Sequence, residues 1–414
     1  MEKKMSLSQN SPARLNTLFA KRTQKMKASE IRELLKLLDQ PDIISFAGGI
    51  PDPAYFPRVA FEQAMLKATS EQAAGVALQY STSEGYTPLR DWIVDYMGRH
   101  GVSCTRDNIL ITAGSQQALD YLGKLFLDPN DTALVAWPTY MGALGAFNAY
   151  EPRYDRFDPQ ANRPIEDITA DAEAAGGRVK FVYLSSDFAN PTGVTLTEDQ
   201  RLTVLKRAEA LGCAVIEDAA YQELRYQGEE VKPMLALEIE QKGSIEECRT
   251  IYLGSFSKTL APGLRVGWAV AAKPVIQQMV LTKQAADLQT ATINQIAVNE
   301  VARGVFNEHV ATLREVYGAR LNAMLAALER HMPEGVEWTR PEGGMFVWVT
   351  LPKGMGGAEL LVKALEAKVA FVPGGAFYAD GSHTNTLRLN FSMSPAAKIE
   401  EGIARLGDVI RAQM

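Results

Sequence analysis

Between about residue 105 and residue 272, short apolar runs alternate with amphipathic stretches, and this alternation limits the possible folds more than any other feature of the chain. Ile109 to Thr112, Ala133 to Ala136, Val179 to Leu184, Ala214 to Glu217, Ile251 to Leu253 and Val266 to Ala271 read as strands. Helical patterns such as Gln116 to Phe126 and Glu198 to Leu211 lie between several of them. The repetition predicts an α/β fold with a mostly parallel sheet. In such a sheet ligands sit beyond the carboxyl ends of the strands, so polar residues directly after these runs are the candidates for chemistry.

The flanking segments differ. A long helical region from roughly Ala291 to His331 leads into Val336 to Thr339, Met345 to Val349, Ala370 to Val372 and Leu387 to Asn390, which look like strands, with helices near 357 to 367 and 395 to 413. This reads as a small α+β unit. At the other end, residues 1 to 27 are polar and rich in Lys and Arg, and Ser29 opens a helix. In that helix Ile31, Leu34, Leu35 and Leu38 form one apolar stripe, and Arg32 lies off it. The loop from Phe46 to Pro53 follows, where Gly48 and Gly49 allow approaches that a side chain would block.

At 414 residues the chain exceeds one compact core, so a large and a smaller domain are expected. A net charge of -6 argues against a nucleic-acid partner, which would call for a basic field. Cys104, Cys213 and Cys248 are far apart and fit a reducing compartment, and the four scattered histidines suggest no metal site. An apolar signal core is absent from the N-terminus, and no run of apolar residues reaches membrane-spanning length. A cytoplasmic protein without a membrane partner is expected.

Ser255-Phe-Ser-Lys258, followed by Pro262-Gly-Leu-Arg265-Val-Gly267, sets an amine, two hydroxyls and a guanidinium just after the run Ile251 to Leu253. A partly desolvated lysine beside another cation loses its proton easily and becomes a nucleophile toward an aldehyde. The hydroxyls and Arg265 suit a phosphate dianion, so the segment fits a lysine in Schiff-base linkage to pyridoxal phosphate; a solvated lysine at a strand end fits it as well. Gly114-Ser115-Gln116, between a strand and a helix, suits an anion cradle or a plain helix cap. Asp218 and Tyr221 follow the strand ending at Glu217. Buried there, Asp218 needs a cationic partner, and a protonated pyridine nitrogen is one; a helix cap is the alternative. Asn190-Pro-Thr-Gly193 is a turn from which Asn190 can donate to a phenolic oxygen shared with Tyr221. Tyr140 suits stacking on a flat ring, or an ordinary place in the core. Arg388 alternates with apolar residues in a strand, and is suited to bidentate capture of a carboxylate or to simple exposure.

These segments, in this order, resemble the class I/II aminotransferases of fold type I, which use pyridoxal 5'-phosphate. The likeness runs from about Ser29 to the C-terminus. It is carried by Ser45-Phe-Ala-Gly-Gly, Leu78-Gln-Tyr-Ser, Gly85-Tyr-Thr-Pro-Leu-Arg90, Gly114-Ser-Gln-Gln-Ala-Leu-Asp120, Asn190-Pro-Thr-Gly193, Ser255-Phe-Ser-Lys258 and Arg340-Pro-Glu-Gly-Gly-Met-Phe-Val-Trp348. The branch it resembles contains 2-aminoadipate, kynurenine and aromatic aminotransferases. What the resemblance implies is a large domain, residues 46 to 320, with a mostly parallel seven-stranded sheet between helices, and a small α+β domain, residues 321 to 414. Residues 1 to 45 would form an arm and helix that pack with the small domain and gate the site.

Carried over residue by residue, the resemblance makes Lys258, Asp218 and Tyr221 the catalytic residues. Lys258 would carry the cofactor, Asp218 would pair with its ring nitrogen, and Asn190 and Tyr221 would bond its ring oxygen. Ser115, Gln116, Ser255, Ser257 and Arg265 would hold the phosphate, Tyr140 would stack on the ring, and Tyr80 would reach the phosphate from the neighbouring subunit of a homodimer. Arg388, Asn190, Gly49, Ser29 and Arg32 would line the substrate site, with Arg388 on the α-carboxylate and Arg32 favouring a distal carboxylate. The expected reaction moves an amino group from a 2-aminoadipate, aromatic or branched-chain type L-amino acid to a 2-oxo acid, 2-oxoglutarate the expected acceptor, in a ping-pong sequence.

One departure stands out: Ser185-Ser-Asp-Phe-Ala precedes Asn190, where the branch often has a Pro and a Gln, which bears on substrate preference. Two other readings keep most of these residues. A β-lyase or decarboxylase would retain the cofactor site. Regulators attach a winged-helix module to a similar domain, but only about 28 residues precede the first helix here, too few for that module.

Overall fold

The computed structural model describes residue 15 and residues 17–26, 42–160 and 163–414. Its strands, in chain order, are β1 Ile44–Ser45, β2 Ile109–Thr112, β3 Thr132–Val135, β4 Arg153–Arg156, β5 Val179–Leu184, β6 Ala214–Asp218, β7 Thr250–Ser255, β8 Gly267–Val270, β9 Glu337–Trp338, β10 Phe346–Thr350, β11 Val369–Ala370, β12 Val372–Pro373 and β13 Thr386–Asn390. The helices that matter below are α1 Ser115–Phe126, α2 Met141–Asn148, α3 Glu198–Ala210, α4 Met234–Lys242, α5 Lys273–Ala286, α6 Thr292–His331, α7 Gly357–Glu366 and α8 Ala396–Arg411.

Seven strands in the order β2-β8-β7-β6-β5-β3-β4 form one sheet. Pairing is parallel from β7 through β6, β5 and β3 to β4, and β8 alone runs against its neighbours. The apolar strands are covered on both faces, as crossover helices require. Side chains of period two divide between them. Leu110, Phe181, Ile216, Leu253 and Ala269 pack with residues of α1, α2 and α5. Ile109, Ile111, Tyr252, Trp268 and Val270 meet α6 and its neighbours on the opposite face, where Val182 and Val215 meet α3. The one strand of this sheet that apolar patterning misses is β4, Arg-Tyr-Asp-Arg, which pairs only with β3. An edge strand needs only one partner, and its charges discourage further pairing.

A second sheet, β12-β13-β10-β9, is antiparallel. The expected single strand at Ala370 to Val372 is divided: Val369–Ala370 pairs with β1 in parallel, and Val372–Pro373 pairs with β13. Through β1, Ile44 and Ser45 join the C-terminal unit. The 40-residue α6 serves both cores. Its residues up to Val310 pack toward the large sheet, whereas Leu313 to Leu328 pack with α7, α8 and β10. The exchange of partners at about residue 310 falls inside one unbroken helix. No helix among the described residues is long and apolar enough to cross a membrane.

Candidate active site

Strand register brings the first group of residues together. Thr112 of β2 lies opposite Gly267 of β8, and Gly267 lies opposite Ser255 of β7. The turns that follow these strands, Ala113–Gly114, Ser257–Lys258 and Arg265, are therefore neighbours at one end of the sheet. Gly267 makes this possible, because a Cβ there would stand 2.7 Å from the Ser115 nitrogen. Arg265, in the left-handed region at φ 53°, donates from Nη2 to the Ala113 carbonyl at 3.1 Å. A side chain at Gly114, φ 82°, would overlap that guanidinium. At the start of α1, no described residue accepts from the Ser115 or Gln116 N–H. Two first-turn amides and a guanidinium thus converge on one spot, an arrangement suited to an anion. The Gln116 side chain is engaged elsewhere: Nε2 donates to the Gly142 carbonyl at 2.6 Å, and Oε1 accepts from Tyr140 at 3.3 Å. Its contribution to this seat is its backbone amide, and its side chain holds Tyr140. Ser255 Oγ donates to Ser257 Oγ at 2.9 Å and accepts from the Ser257 N–H at 3.1 Å, so these two hydroxyls form one unit.

Asp218 ends β6, and Asp218 Oδ2 accepts from the Tyr183 hydroxyl at 2.8 Å. Its other oxygen, Oδ1, is buried without a partner. Burial pushes its pKa up, against the pull of Tyr183 and Lys258. An acceptor buried and unpaired costs about 1–3 kcal/mol. A cationic N–H donor, such as a protonated pyridine nitrogen, removes that cost. Tyr183 was missed in the sequence because the run Val179–Leu184 reads as plain apolar strand and gives no sign of where its hydroxyl points.

Lys258 Nζ donates to the Gly49 carbonyl at 2.6 Å and stands 5.8 Å from the centre of the Tyr221 ring. Burial, then the charges of Arg388 and Arg265, bring its pKa down to about 8, with Asp218 opposing. Gly49 lies between two cations: a Cβ there would be 3.7 Å from Arg388 Nη2 and 3.1 Å from Phe346. Arg388, on β13, is fully buried and stacks over Phe346, its guanidinium 4.2 Å from the ring centre. It donates to Asn190 Oδ1 at 2.8 Å and to the Ala47 carbonyl at 2.9 Å. Its Nε has no partner, and no carboxylate among the described residues pairs with it. Burial lowers its pKa to about 10. A buried guanidinium without a counter-charge is costly, and a ligand carboxylate supplies the missing partner. Asn190 also bonds the buried Tyr221 hydroxyl, whose pKa burial raises.

The segment before Asn190 is divided: Ser185 bonds the Tyr183 hydroxyl that holds Asp218, and the residues after it turn to other partners. Ser186 donates to the buried Glu217 at 2.9 Å, and Asp187 pairs with Arg201 at 2.8 Å. Phe188, at φ 47°, packs beneath Arg225 and against Gly343 and Gly344. Residues 186–188 therefore brace the Asn190 turn against the stretch that leads into β10, while Ser185 supports the Tyr183–Asp218 pair. Tyr80 stands apart, 78% exposed, on a stretch held by Ser81 N–H donating to Gln289. Ser29 and Arg32, and the helix expected around them, lie outside the described residues.

Comparison with known proteins agrees with this geometry. Residues 42–406 match the family model for aminotransferase class I and II. The chain is 45% identical to aromatic-amino-acid aminotransferase 1 of Thermococcus litoralis, over 96% of this chain and 94% of that one. It is 43% identical to the 2-aminoadipate transaminase of Thermus thermophilus, over 97% and 98%. Among solved structures, kynurenine aminotransferase of Pyrococcus horikoshii, in complex with PMP, superposes with a TM-score of 0.89 at 44% identity, covering 97% of this chain and 99% of that one. The α-aminoadipate aminotransferase of Thermus thermophilus, complexed with N-(5'-phosphopyridoxyl)-L-leucine, gives 0.85 at 41%, covering 96% and 98%. With a family match across most of its length and relatives this similar, the chain belongs to the class I and II aminotransferases.

Proposed function

We propose that this aminotransferase takes its amino group from an L-amino acid of the 2-aminoadipate, aromatic or branched-chain type and passes it to a 2-oxo acid, with 2-oxoglutarate as acceptor, in two half-reactions at one site. The observation that carries the reading is Arg388: a buried guanidinium with an unpaired Nε and, among the described residues, no carboxylate partner, beside a lysine whose pKa is held near 8. The cofactor is pyridoxal 5'-phosphate, and the residues present fit it. Lys258 would be its attachment point, Asp218 the partner of its ring nitrogen, and Asn190 and Tyr221 the partners of its ring oxygen. Ser115, Ser255, Ser257, Arg265 and the backbone amide of Gln116 would hold its phosphate, with Tyr140 against the ring. When bound, pyridoxal phosphate supplies an aldehyde carbon that accepts the amino group and a ring that withdraws electrons.

The protein's own groups divide the remaining work. Arg388 grips the substrate α-carboxylate through two parallel N–H bonds, and its stack on Phe346 fixes the plane of the fork. That grip orients the α-hydrogen toward Lys258 Nζ. Free of its proton above about pH 8, Lys258 is the base that removes the α-proton and later returns one. Asp218, buried and held by Tyr183, keeps its negative charge fixed where positive charge must persist, a preorganised electrostatic contribution. Among the described residues cations outnumber carboxylates here, with Lys258, Arg388 and Arg265 against Asp218, in keeping with ligands that bring a phosphate and a carboxylate.

We further propose a homodimer in which Tyr80 reaches the partner's phosphate, a division into residues 46–320 and 321–414, and a cytoplasmic location, in keeping with the unpaired Cys104, Cys213 and Cys248. Relatives that act on aromatic and 2-aminoadipate substrates support the donor classes named. The test is a panel of 2-aminoadipate, glutamate, phenylalanine, kynurenine and leucine, each with 2-oxoglutarate or pyruvate, with new amino acids identified by mass. Glutamate formed from 2-oxoglutarate in step with loss of the donor is the expected result. Release of ammonia or carbon dioxide with no new amino acid would favour a β-lyase or decarboxylase and defeat the proposal.

A further inference from the structure

Behind the phosphate seat lies a polar cluster that the reaction does not use. Lys283, near the end of α5, is fully buried. Its ammonium donates to Asp287 Oδ1 at 2.9 Å, to Asp287 Oδ2 at 3.0 Å and to Gln117 Oε1 at 3.0 Å. All three donors of the ammonium are therefore spent. Asp287 Oδ1 also accepts from the Tyr121 hydroxyl at 3.2 Å, and Asp287 Oδ2 from Gln117 Nε2 at 2.7 Å. With Nε2 on a carboxylate and Oε1 on an ammonium, the Gln117 amide has one possible orientation. That orientation has a consequence at the site, because Gln117 Oε1 also accepts from the Ala113 N–H at 2.8 Å. The other side of the same residue, the Ala113 carbonyl, accepts from Arg265. Ala113 is thus held by the Lys283–Asp287–Gln117 cluster on one side and by the phosphate-facing guanidinium on the other.

Burying a charged group is a poor way to gain stability, and of this pair it is the Lys283 ammonium that is buried, with Asp287 at the surface. A buried ammonium does, however, fix a direction, which an apolar side chain cannot do. We propose that Lys283, acting with Asp287 through Gln117, is a positioning residue that orients the Ala113–Gly114 peptide and thereby sets the affinity of the site for the phosphate of its cofactor. The inference rests on reading Ala113–Gln117 and Arg265 as the phosphate seat. Lys283 touches neither cofactor nor substrate in this account. Its effect reaches the site only through the Gln117 amide and the Ala113 N–H, so it falls on groups that bear a phosphate and spares those that do not.

The test uses the full-length protein stripped of cofactor and titrated with pyridoxal phosphate, with pyridoxal, and with inorganic phosphate as a competitor. In Lys283→Met the Kd for pyridoxal phosphate should rise by about tenfold or more, the worth of a hydrogen bond to a charged group. Inorganic phosphate should weaken in parallel, while pyridoxal binding stays as in wild type. Gln117→Glu, which sets a carboxylate against Asp287, should show the same loss. Adding Asp287→Asn to it restores a donor facing that carboxylate, so the double variant should regain most of the affinity. This pair decides the matter even if Lys283→Met fails to fold. Wild-type affinity in Lys283→Met, equal losses for pyridoxal and pyridoxal phosphate, or a double variant as weak as Gln117→Glu would overturn the inference alone. A wild type that takes up no pyridoxal phosphate would overturn the reading of the site, and this inference with it.

Discussion

At the scale of single residues, the site is a set of unpaid electrostatic costs that ligands settle. Arg388 is the clearest case. Arg388→Ala removes the only buried guanidinium over Phe346, and kcat/KM for every amino donor should fall by roughly 100-fold or more, about 3 kcal/mol, with Arg388→Lys recovering part of it. Steady-state kinetics on the donor panel checks this, and a loss confined to one donor class would count against α-carboxylate binding. Tyr183 bears on the same logic. Tyr183→Phe strips Asp218 of its one side-chain hydrogen bond and should cost the ligand-free protein about 1–2 kcal/mol in urea denaturation, less with pyridoxal phosphate bound. Equal losses with and without the cofactor would separate Tyr183 from the cofactor site. Lys258 gives a pH prediction whose sign follows from its depressed pKa. Between about pH 8 and the ordinary lysine value of 10.5 the unfolded chain holds the proton and the folded one does not, so the ligand-free protein gains stability as pH rises through that window. Below pH 8 both states are protonated and the full penalty is present. Reductive trapping of Lys258 by a small aldehyde, read by mass, should accordingly reach half its maximum near pH 8, well before surface lysines.

At the scale of elements, the antiparallel placement of β8 between β2 and β7 joins segments more than a hundred residues apart. Its register sets Thr112, Gly267 and Ser255 side by side, and the close passage of Gly267 past the start of α1 holds the proposed phosphate seat together. Gly267→Ala should force β8 and α1 apart, lowering stability by about 1–3 kcal/mol and weakening pyridoxal phosphate binding, while the far strands β3 and β4 keep their pairing. Thermal melting and cofactor titration report the two effects, and hydrogen exchange reports the strands. Pro-containing turns, Gly pairs and strand-end polar residues made Asn190, Asp218, Lys258 and Arg265 readable from sequence, because each follows an apolar run closely. The partners Tyr183, Ala47 and Phe346 were not readable, since each reaches the site by strand pairing or by packing between the two sheets. The Gln116 side chain bonds Gly142 and Tyr140, which its sequence position did not reveal, because a helix start shows its free amides and not the neighbours of its side chains.

At the scale of the whole molecule, apolar groups remain exposed where a partner is proposed. Leu78 and Tyr80 are 68% and 78% exposed, and Leu288, also exposed, directly precedes the Gln289 that holds Ser81. The protein should sediment as a two-chain particle, and Leu78→Glu should shift it toward single chains and weaken cofactor binding together. A wild type that stays a single chain at all concentrations would remove Tyr80 from the site. Alternation of apolar runs with amphipathic stretches was enough to determine the α/β class and the strand ends at which candidate residues gather, since these depend on local periodicity and spacing. Strand order, the split of residues 369–373 between two sheets, the charged edge strand β4 and the unpaired state of Asp218 Oδ1 and Arg388 Nε were decided only by the tertiary structure. Those features are settled by long-range pairing and by which polar groups packing leaves without partners, and neither quantity is written in any local stretch of the chain.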